Sequence, residues 1–319
     1  MKRQQFLIPP SGTNLTGSAA ELGVLSAYPT ADGSFSLHSD HFGEAFHNSA
    51  GALNEAQAKF VEPAELERFS SGQPLRILDV CVGLGYNSAA IFNALPAAPP
   101  ALIWWGLELD QRPLQLALDQ QGFRELWTQP VLQRLINIRD GSGWQEPNSQ
   151  GTQLWGDARQ RIQDIPDDQT FDLILQDAFS PQRCPELWSE EFLGTLANRL
   201  APRGRLLTYS RSAAVRASLK RAGLTLFSLR PAPGERVGWS SGTMATPQGS
   251  GCPDQGPGWR PFSPMEWEHL NTRAAVPFRD PNSTATSEEI LKQRREEQGQ
   301  CTLEPTNAWQ RRWQRDTSG

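Results

Sequence analysis

Three carboxylates stand at the ends of three successive apolar runs in the sequence. Glu108 ends the run 101–107, Asp157 follows the run 153–156, and Asp177 follows the run 171–176. If these runs are parallel strands, their carboxyl ends share one edge of a sheet, where a carboxylate at the tip of the second strand accepts paired hydrogen bonds from a ribose diol. One such acid is more often a solvated residue or a helix cap. Three in succession favour a site for a nucleotide-like ligand.

A glycine turn precedes all three of these runs. Gly83 and Gly85 follow an apolar segment around Asp79, which is typical of a strand buried on both faces, and a helix is expected over residues 87–95. Glycines in such a turn let the backbone approach a ligand without a Cβ in the way. The N–H groups that open the helix, beginning at Asn87, point at that ligand. The turn alone is weak evidence, and its combination with the strand-end acids indicates a ligand site.

Composition limits the classes of protein to which the chain can belong. With 319 residues and a net charge of −5, it can hold one large α/β domain with appendages, and it is too acidic to bind nucleic acid over its whole surface. The four cysteines have no paired spacing, so neither a metal site nor a disulfide framework is predicted. The N-terminal apolar run is too short for a secretory signal, and no stretch is long enough to span a membrane. We therefore expect a cytoplasmic protein without a membrane partner.

Basic residues are concentrated in one stretch. Residues 199–236 contain nine arginines and lysines and a single acid, Glu235. The stretch fits either a solvated helix face with loop arginines or a patch that binds phosphates. In the second interpretation Arg211 belongs to the substrate-binding residues.

Strands and helices alternate between residues 75 and 246, which is the order typical of a doubly wound, mostly parallel α/β sheet. Residues 1–70 are expected to form an arm, a β-hairpin with strands at 30–38 and 44–48, and a helix at 52–69 that Pro63 bends or ends. Residues 71–246 form the α/β domain. Residues 247–319 are expected to form a linker and a charged C-terminal tail with a helix near Ser287.

The sequence from residue 32 to about residue 245 resembles the MnmC-like S-adenosylmethionine-dependent methyltransferases, that is, the methyltransferase domain of the tRNA 5-methylaminomethyl-2-thiouridine biosynthesis protein. The specific part of the resemblance is the block Asp177-Ala178-Phe179-Ser180-Pro181 followed by Pro185-Glu186-Leu187-Trp188. The resemblance implies a Rossmann-like class I methyltransferase with an antiparallel last strand and an N-terminal β-hairpin extension. It also implies methyl transfer to the amine of 5-aminomethyl(-2-thio)uridine at the wobble position of tRNA.

The same resemblance implies a role for each candidate residue. Asp177 faces the reacting centre as the catalytic residue, Glu108 binds the ribose hydroxyls, and Asp157 accepts a hydrogen bond from the exocyclic amine of adenine. Asn54 and Glu55 close over the cofactor or the substrate. The full set of cofactor-binding residues is Asp79, Gly83, Gly85, Asn87, Glu108, Asp157, Ala158, Asn54 and Glu55. The substrate-binding residues are Phe179, Trp188 and Arg211, with the two aromatic rings expected to stack on a flipped uracil.

The sequence departs from the family pattern at Cys81, which stands where the glycine turn usually has its first glycine. Other activities therefore stay open: a methyltransferase or an aminopropyltransferase-like enzyme acting on a small amine, or a non-catalytic module that binds tRNA or another partner. A nicotinamide-dependent dehydrogenase is disfavoured, because Ser88 stands at the third position of the Gly-x-Gly-x-x-Gly fingerprint. If tRNA is the substrate, a functional link to the enzymes that install the aminomethyl group is expected.

Overall fold

A nine-stranded mixed sheet and a smaller N-terminal sheet organise the protein, whose computed structural model describes residues 5–6, 22–69, 73–235 and 240–316. Most of the predicted N-terminal arm lies outside these residues. The strands are β1 (Gln5–Phe6), β2 (Leu25–Tyr28), β3 (Ser36–Ser39), β4 (Glu44–Ala45), β5 (Leu75–Val80), β6 (Leu102–Glu108), β7 (Gly143–Glu146), β8 (Ser149–Trp155), β9 (Phe171–Gln176), β10 (Leu200–Thr208), β11 (Leu224–Leu229), β12 (Thr243–Pro247) and β13 (Trp259–Pro261). The α-helices are α1 (Ala52–Ala56), α2 (Tyr86–Asn93), α3 (Arg112–Leu118), α4 (Gln121–Arg124), α5 (Gln129–Gly141), α6 (Ala158–Arg161), α7 (Glu190–Asn198), α8 (Ala213–Arg221), α9 (Pro264–His269), α10 (Ser287–Gln300) and α11 (Thr306–Asp316).

The main sheet has the strand order β13-β11-β12-β10-β9-β5-β6-β8-β7. Its five central strands, from β10 to β8, are parallel, and β12 is antiparallel to both of its neighbours, β10 and β11. The order reverses between β5 and β9, which places a crevice at the carboxyl ends of these two strands. The predicted Rossmann-like fold with an antiparallel last strand is confirmed.

Two apolar cores cover the two faces of this sheet. Ile77 belongs to the core formed with α2, α3 and α5, and its neighbour Leu78 belongs to the core formed with α6, α7 and α8. This alternation follows from the two-residue period of a strand. Because both faces are covered, β5 reads as an almost continuous apolar run. None of the described helices combines the length and the apolar character that crossing a bilayer requires.

The N-terminal extension is a four-stranded antiparallel sheet, not a single hairpin. The strand β2 lies in the segment predicted to be an arm, and it pairs with β3, which pairs with β4. Asp32 sets the β2–β3 turn, because its Oδ1 accepts hydrogen bonds from the backbone N–H of Ser34 (2.9 Å) and the hydroxyl of Thr30 (3.0 Å). The predicted strand 30–38 was therefore too long: its first half is this turn, whose side chains bond locally.

The helix predicted over residues 52–69 is present as a broken run. α1 continues into a π-helical turn at Gln57–Val61, and two 3₁₀ turns follow at Glu62–Ala64 and Leu66–Arg68. Pro63 lies in the first 3₁₀ turn, as expected of a residue that cannot donate to a continuing helix. The hairpin β7–β8 and the helix α5 were not predicted.

The residues after 247 add to the main sheet and to its core. The strand β13 pairs with β11 at the sheet edge, and Phe262, Phe278 and Ile290 are buried in the second core. A buried ion pair joins α8 to α9, with Arg216 Nη1 3.3 Å from Glu266 Oε1 and both side chains fully buried. The segment interpreted as a linker and tail is thus packed against the α/β domain.

The basic stretch 199–236 is not a continuous positive surface. Arg199, Arg205 and Arg216 are buried, and their guanidinium groups donate to backbone carbonyls or pair with carboxylates of the same molecule. Arg211, which is exposed, donates to the carbonyl of Ser240 (3.1 Å). Arginine's five donors make it suited to such internal bridging. The positive charge counted in the sequence of this stretch is therefore larger than the positive charge available to a phosphate-bearing partner.

Glu266→Gln should lower the free energy of unfolding by about 3 kcal/mol, since it removes the carboxylate that neutralises a fully buried guanidinium. Urea unfolding followed by circular dichroism measures the loss. The matched control is Glu268→Gln two residues along, which removes an exposed carboxylate that pairs with Arg312 and accepts the indole N–H of Trp313, and its loss of stability should be much smaller. Equal losses in the two variants would contradict a structural role for the buried pair.

Candidate active site

A cavity of about 340 Å³ lies at the carboxyl ends of the central strands, under the N-terminal sheet. The ends of β5, β6, β8 and β9 supply one side of its wall, and the segment around β4 supplies the other. Seven of the predicted site residues line it, namely Glu55, Gly83, Glu108, Asp157, Ala158, Asp177 and Phe179. The other six, which are Asn54, Asp79, Gly85, Asn87, Trp188 and Arg211, lie outside the lining.

Glu108 ends β6 with its carboxylate fixed by the backbone. Its Oε2 accepts the N–H of Gly83 (2.8 Å), and its Oε1 accepts the N–H groups of Leu109 (2.7 Å) and Asp110 (2.9 Å). Burial raises the pKa of Glu108 to about 7, although these three donors oppose the shift. The geometry ties the strand-end acid to the glycine turn and leaves carboxylate lone pairs facing the cavity.

The glycine turn has the expected left-handed backbone. Gly83 has φ +56° and Gly85 has φ +89°, and Gly85 is the N-cap of α2. Cys81 takes φ +69° at the position of the missing glycine, a conformation that is strained for a residue with a Cβ. The backbone forms a tight turn through three left-handed residues, with the Cys81 thiol as part of the cavity wall.

Asp79 lies behind the turn and does not reach the cavity. Its Oδ2 accepts the hydroxyl of Ser88 (2.5 Å), which in turn accepts the indole N–H of Trp104 (2.7 Å). Its Oδ1 is buried without a hydrogen-bond partner among the described residues. Burial raises the pKa of Asp79 to about 7. Asp79 thus supports the turn from within the core.

Asp157 caps α6 and forms an ion pair. Its Oδ1 accepts the N–H of Arg159 (2.9 Å), and the Arg159 guanidinium donates to Oδ2 (2.7 Å). The same guanidinium bonds Asp280 Oδ2 (2.6 Å), so the C-terminal segment holds the cavity wall in place. Ala158 follows at the start of the helix, where its small side chain leaves room in the cavity.

Asp177 lies at the switch point, directly after β9. Its Oδ2 accepts the side-chain N–H of Asn87 (2.7 Å), which connects it to the first turn of α2. Burial and the neighbouring negative charge of Glu55 raise the pKa of Asp177 well above its usual range. A cation bound between the two carboxylates favours their ionised forms and opposes that shift.

The two aromatic residues predicted to bind substrate have different surroundings. Phe179 lines the cavity, where its ring stacks on Phe42 (centroids 4.3 Å, 23°) and meets Phe46 edge-on (4.8 Å). Trp188 is fully buried, and its indole N–H donates to the carbonyl of Phe179 (2.7 Å). Trp188 therefore packs as a core residue that supports Phe179, since the indole has no face open to the cavity.

Sequence reasoning missed the part of the wall that the N-terminal sheet contributes. Phe42, Glu44, Phe46 and His47 all line the cavity, and Tyr209 closes it from the end of β10. The available signal is the pair Phe42 and Phe46, which flank residues 43–45. His47 lies with Nδ1 2.9 Å from Ser36 Oγ, and burial lowers its pKa to about 4.

The charge of the cavity wall determines whether a cationic or an anionic ligand is favoured. Seven acids line the cavity (Glu44, Glu55, Glu108, Asp110, Asp157, Asp177 and Glu186), and no lysine or arginine does so among the described residues. Carboxylates in a partly desolvated cleft favour a cation. A nucleoside that carries a sulfonium fits this wall. Its ribose diol can donate hydrogen bonds to Glu108, and its positive charge is attracted by the acids. In the described residues, no group of histidines, cysteines and acids is arranged to hold a metal ion.

Asp79→Asn should flatten the pH dependence of stability. The pKa of Asp79 is about 7 in the fold against an ordinary value of 3.8, so folding binds a proton between these values and stability falls as the pH rises from about 4 to about 7. The asparagine of the variant cannot ionise. As the pH rises through this window, the difference in free energy of unfolding between variant and parent should therefore grow in favour of the variant by up to about 1.4 kcal/mol per pH unit. Urea unfolding from pH 4.5 to 8 measures both curves. The exposed Asp254→Asn should follow the parent, and parallel curves for Asp79→Asn would refute the raised pKa.

Comparison with known proteins finds similar methyltransferases. The profile of a family described as S-adenosyl-L-methionine-dependent methyltransferases matches residues 124–244. An uncharacterised protein of Methanocaldococcus jannaschii is 27% identical over 274 residues, which are 84% of this chain and 70% of that protein. The bifunctional protein MnmC of Pseudomonas paraeruginosa, named for tRNA 5-methylaminomethyl-2-thiouridine biosynthesis, is 26% identical over 74% of this chain. The match spans only 36% of that MnmC's length.

Among solved structures, MnmC2 from Aquifex aeolicus is similar over almost the whole of both chains. The TM-score is 0.74 at 29% identity, and the match covers 88% of this chain and 87% of the other. The predicted recognition, enzyme class and cofactor are confirmed. The chain is an S-adenosylmethionine-dependent methyltransferase with a Rossmann-like fold, S-adenosylmethionine is its cofactor, and it is similar to MnmC2 over most of its length.

Proposed function

We propose that the protein methylates the primary amine of 5-aminomethyl(-2-thio)uridine at the wobble position of tRNA. The observation that carries the proposal is the match to MnmC2 from Aquifex aeolicus over 88% of this chain. The curated relatives are named for the biosynthesis of 5-methylaminomethyl-2-thiouridine, whose N-methyl group is what a methyltransferase domain supplies. The enzymes that install the aminomethyl group are then functional partners of this protein.

The chemistry of the cavity supports an amine acceptor. At neutral pH a primary amine is a cation, and the cavity wall is acidic. The cofactor supplies a methyl group that is already electrophilic because it is bonded to a sulfonium. The protein must therefore hold the amine in line, keep water out and stabilise the positive charge that develops on nitrogen. The carboxylate of Asp177, oriented by Asn87, is placed for that last role.

The remaining residues divide between the two ligands. Glu108 accepts hydrogen bonds from the ribose hydroxyls, Gly83 brings the backbone close to the methionine part, and Asp157 and Ala158 flank the adenine. Phe179, with the rings that pack on it, forms an apolar wall for a flipped base. Asp79, Gly85 and Asn87 act indirectly, through the turn and through Asp177.

A small-molecule amine is the second candidate substrate. The burial of Arg199, Arg205 and Arg216 favours it, because the basic stretch retains fewer side chains for tRNA phosphates. Arg203, Arg211, Lys220, Arg221 and Arg230 remain exposed, and they are the residues with which a tRNA would be bound.

Glu108→Gln should weaken binding of S-adenosylhomocysteine by about tenfold. An NH₂ group then replaces one carboxylate oxygen, so a hydrogen-bond donor stands where a charged acceptor was. In the parent, protonation of Glu108 removes the same acceptor, so affinity should fall as the pH drops below about 7. Isothermal titration calorimetry at pH 6 and pH 8 measures both effects. Glu67→Gln, an exposed control outside the cavity, should bind like the parent. A Glu108→Gln variant with parental affinity at pH 8 would exclude Glu108 from ribose binding.

Asp177→Asn should lower turnover by about 10²-fold, the scale of losing one positioned electrostatic or acid–base group. Mass-spectrometric nucleoside analysis of tRNA tests it in cells that make the aminomethyluridine precursor. Cells without the protein should accumulate 5-aminomethyluridines, and the parent gene should restore the methylated form while the variant does not.

Two outcomes of that experiment would redirect the proposal. An unchanged tRNA profile in cells lacking the protein, together with tight binding of S-adenosylmethionine by the purified protein, would retain the methyltransferase and discard tRNA as substrate. Restoration by Asp177→Asn at the parental rate would remove Asp177 from the reacting centre.

A further inference from the structure

Glu55 is a second carboxylate at the reacting end of the cavity. It belongs to α1, which runs into the π-helical turn Gln57–Val61, and its side chain lines the same cavity as Asp177. π-Helical turns occur frequently at functional sites, because the extra residue shifts which side chains face inward. Asn48 is its hydrogen-bond partner: Glu55 Oε2 accepts the backbone N–H of Asn48 at 3.4 Å, and the Asn48 side chain also bonds to the carboxylate.

Lys59, the basic residue nearest to Glu55 along the chain, is bonded to other groups. Lys59 is buried, and its Nζ lies 2.8 Å from Glu235 Oε2 and 2.5 Å from Ser241 Oγ. In the described part of the chain no basic group lies within 4.0 Å of the Glu55 carboxylate. Glu55 is therefore neither neutralised by an ion pair nor fully satisfied by hydrogen bonds.

The proposed reaction requires a proton acceptor in addition to a group that orients the amine. A primary amine enters as an ammonium at neutral pH, and it has no lone pair to attack with until one proton leaves. One oxygen of Asp177 is already held by Asn87 at 2.7 Å. An orienting group and a proton acceptor are thus two separate requirements, and the cavity offers two carboxylates.

We propose that Glu55 accepts the proton of the substrate ammonium before methyl transfer, while Asp177 orients the amine that results. This rests on the proposed function, since it assumes an amine acceptor. An N–H bond of the ammonium breaks and an O–H bond forms on Glu55. The nitrogen lone pair then forms the N–CH₃ bond, and the electron pair of the C–S bond passes to sulfur. The product leaves as a secondary ammonium, and Glu55 returns its proton to solvent.

The surroundings of Glu55 are consistent with this role. Burial raises the pKa of Glu55, which improves a carboxylate as a proton acceptor near neutral pH. The charged and titratable groups that face it are Lys59 on its own helical run, Glu235 on the loop after β11, Asp177 at the end of β9, Tyr209 after β10 and His47 after β4. Desolvation is the largest cause and raises the pKa of Glu55, Glu235 also raises it, and Lys59 and the hydrogen bonds from Asn48 lower it.

The test is the pH profile of kcat/KM for Glu55→Gln, from pH 6.5 to 10, on tRNA carrying 5-aminomethyluridine. At pH 7 the variant should be about 10²-fold slower than the parent. The deficit should shrink as the pH rises towards the pKa of a free primary amine, which is about 10 by analogy with lysine. Near that pH the amine is already neutral in solution and needs no proton acceptor in the protein. The deficit of Asp177→Asn should persist at every pH, since it loses orientation and not proton removal.

Two controls separate a chemical role from a structural one. Glu62→Gln, an exposed residue on the following 3₁₀ turn, should match the parent throughout. Glu55→Asp keeps the carboxylate and should recover part of the activity. Calorimetric titration with S-adenosylhomocysteine should give Glu55→Gln an affinity within a few-fold of the parent.

Each contrary result has one meaning. A pH-independent deficit in Glu55→Gln, or an affinity loss for S-adenosylhomocysteine as large as the loss of activity, would overturn the proton-acceptor role and make Glu55 a positioning or cofactor-binding residue. A parent protein that does not methylate this tRNA would refute the proposed function, and the proton-acceptor proposal for this substrate with it.

Discussion

Negative charge crowded into a partly buried cavity is the constraint on which the rest of the site depends. Carboxylates that lose hydration are costly unless each finds donors or a counter-charge. Glu108 is compensated by three backbone N–H groups, and Asp157 is compensated by an ion pair with Arg159. Glu44 accepts the N–H of Ser180, and Asp177 accepts the amide of Asn87. Arginines neutralise Asp157 and Asp110, whereas Glu44, Glu108 and Asp177 are held by hydrogen bonds from uncharged donors, so a cationic ligand completes the compensation.

The elements that provide these bonds come from the whole chain. Arg159 connects Asp157 to Asp280 in the C-terminal segment, and Lys59 connects the N-terminal helical run to Glu235 in the loop after β11. Because each bridge joins segments that are more than a hundred residues apart, the cavity is rigid only when the ends of the chain have packed. The N-terminal helical run and the residues after 247 therefore help to position the cavity wall, although neither supplies one of the five central parallel strands.

The sequence predicted the strand-end acids and the glycine turn because both are set by local rules. An apolar run of strand length followed by an acid places that acid at the sheet edge whatever else the chain does. The register of β6 with β5 then brings Glu108 to Gly83 without further information. Backbone geometry also explains why Cys81 replaces a glycine without altering the turn, since the left-handed conformation is disfavoured for cysteine but accessible.

What the sequence did not predict depends on tertiary contacts. The stacking of Phe42 on Phe179 joins two segments about 140 residues apart, so no local pattern marks Phe42 as a wall residue. Trp188 fits a core position and a base-stacking position equally well until its burial is known. The charge of the basic stretch could not be assigned to the surface for the same reason. The sequence does not distinguish an arginine that bonds carbonyls in the core from one that faces solvent.

The acidity of the cavity also suits the charge balance of the proposed transfer. Methyl transfer to a neutral amine moves one positive charge from sulfur to nitrogen, so the total charge in the cavity does not change during that step. A diffuse field from seven carboxylates stabilises reactants and products alike, and it contributes to binding more than to rate. Acceleration requires a negative group closer to the nitrogen than to the sulfur. In the mechanism proposed above that group is Asp177, which follows β9 and is separated by β5 from the strand end that bears Glu108.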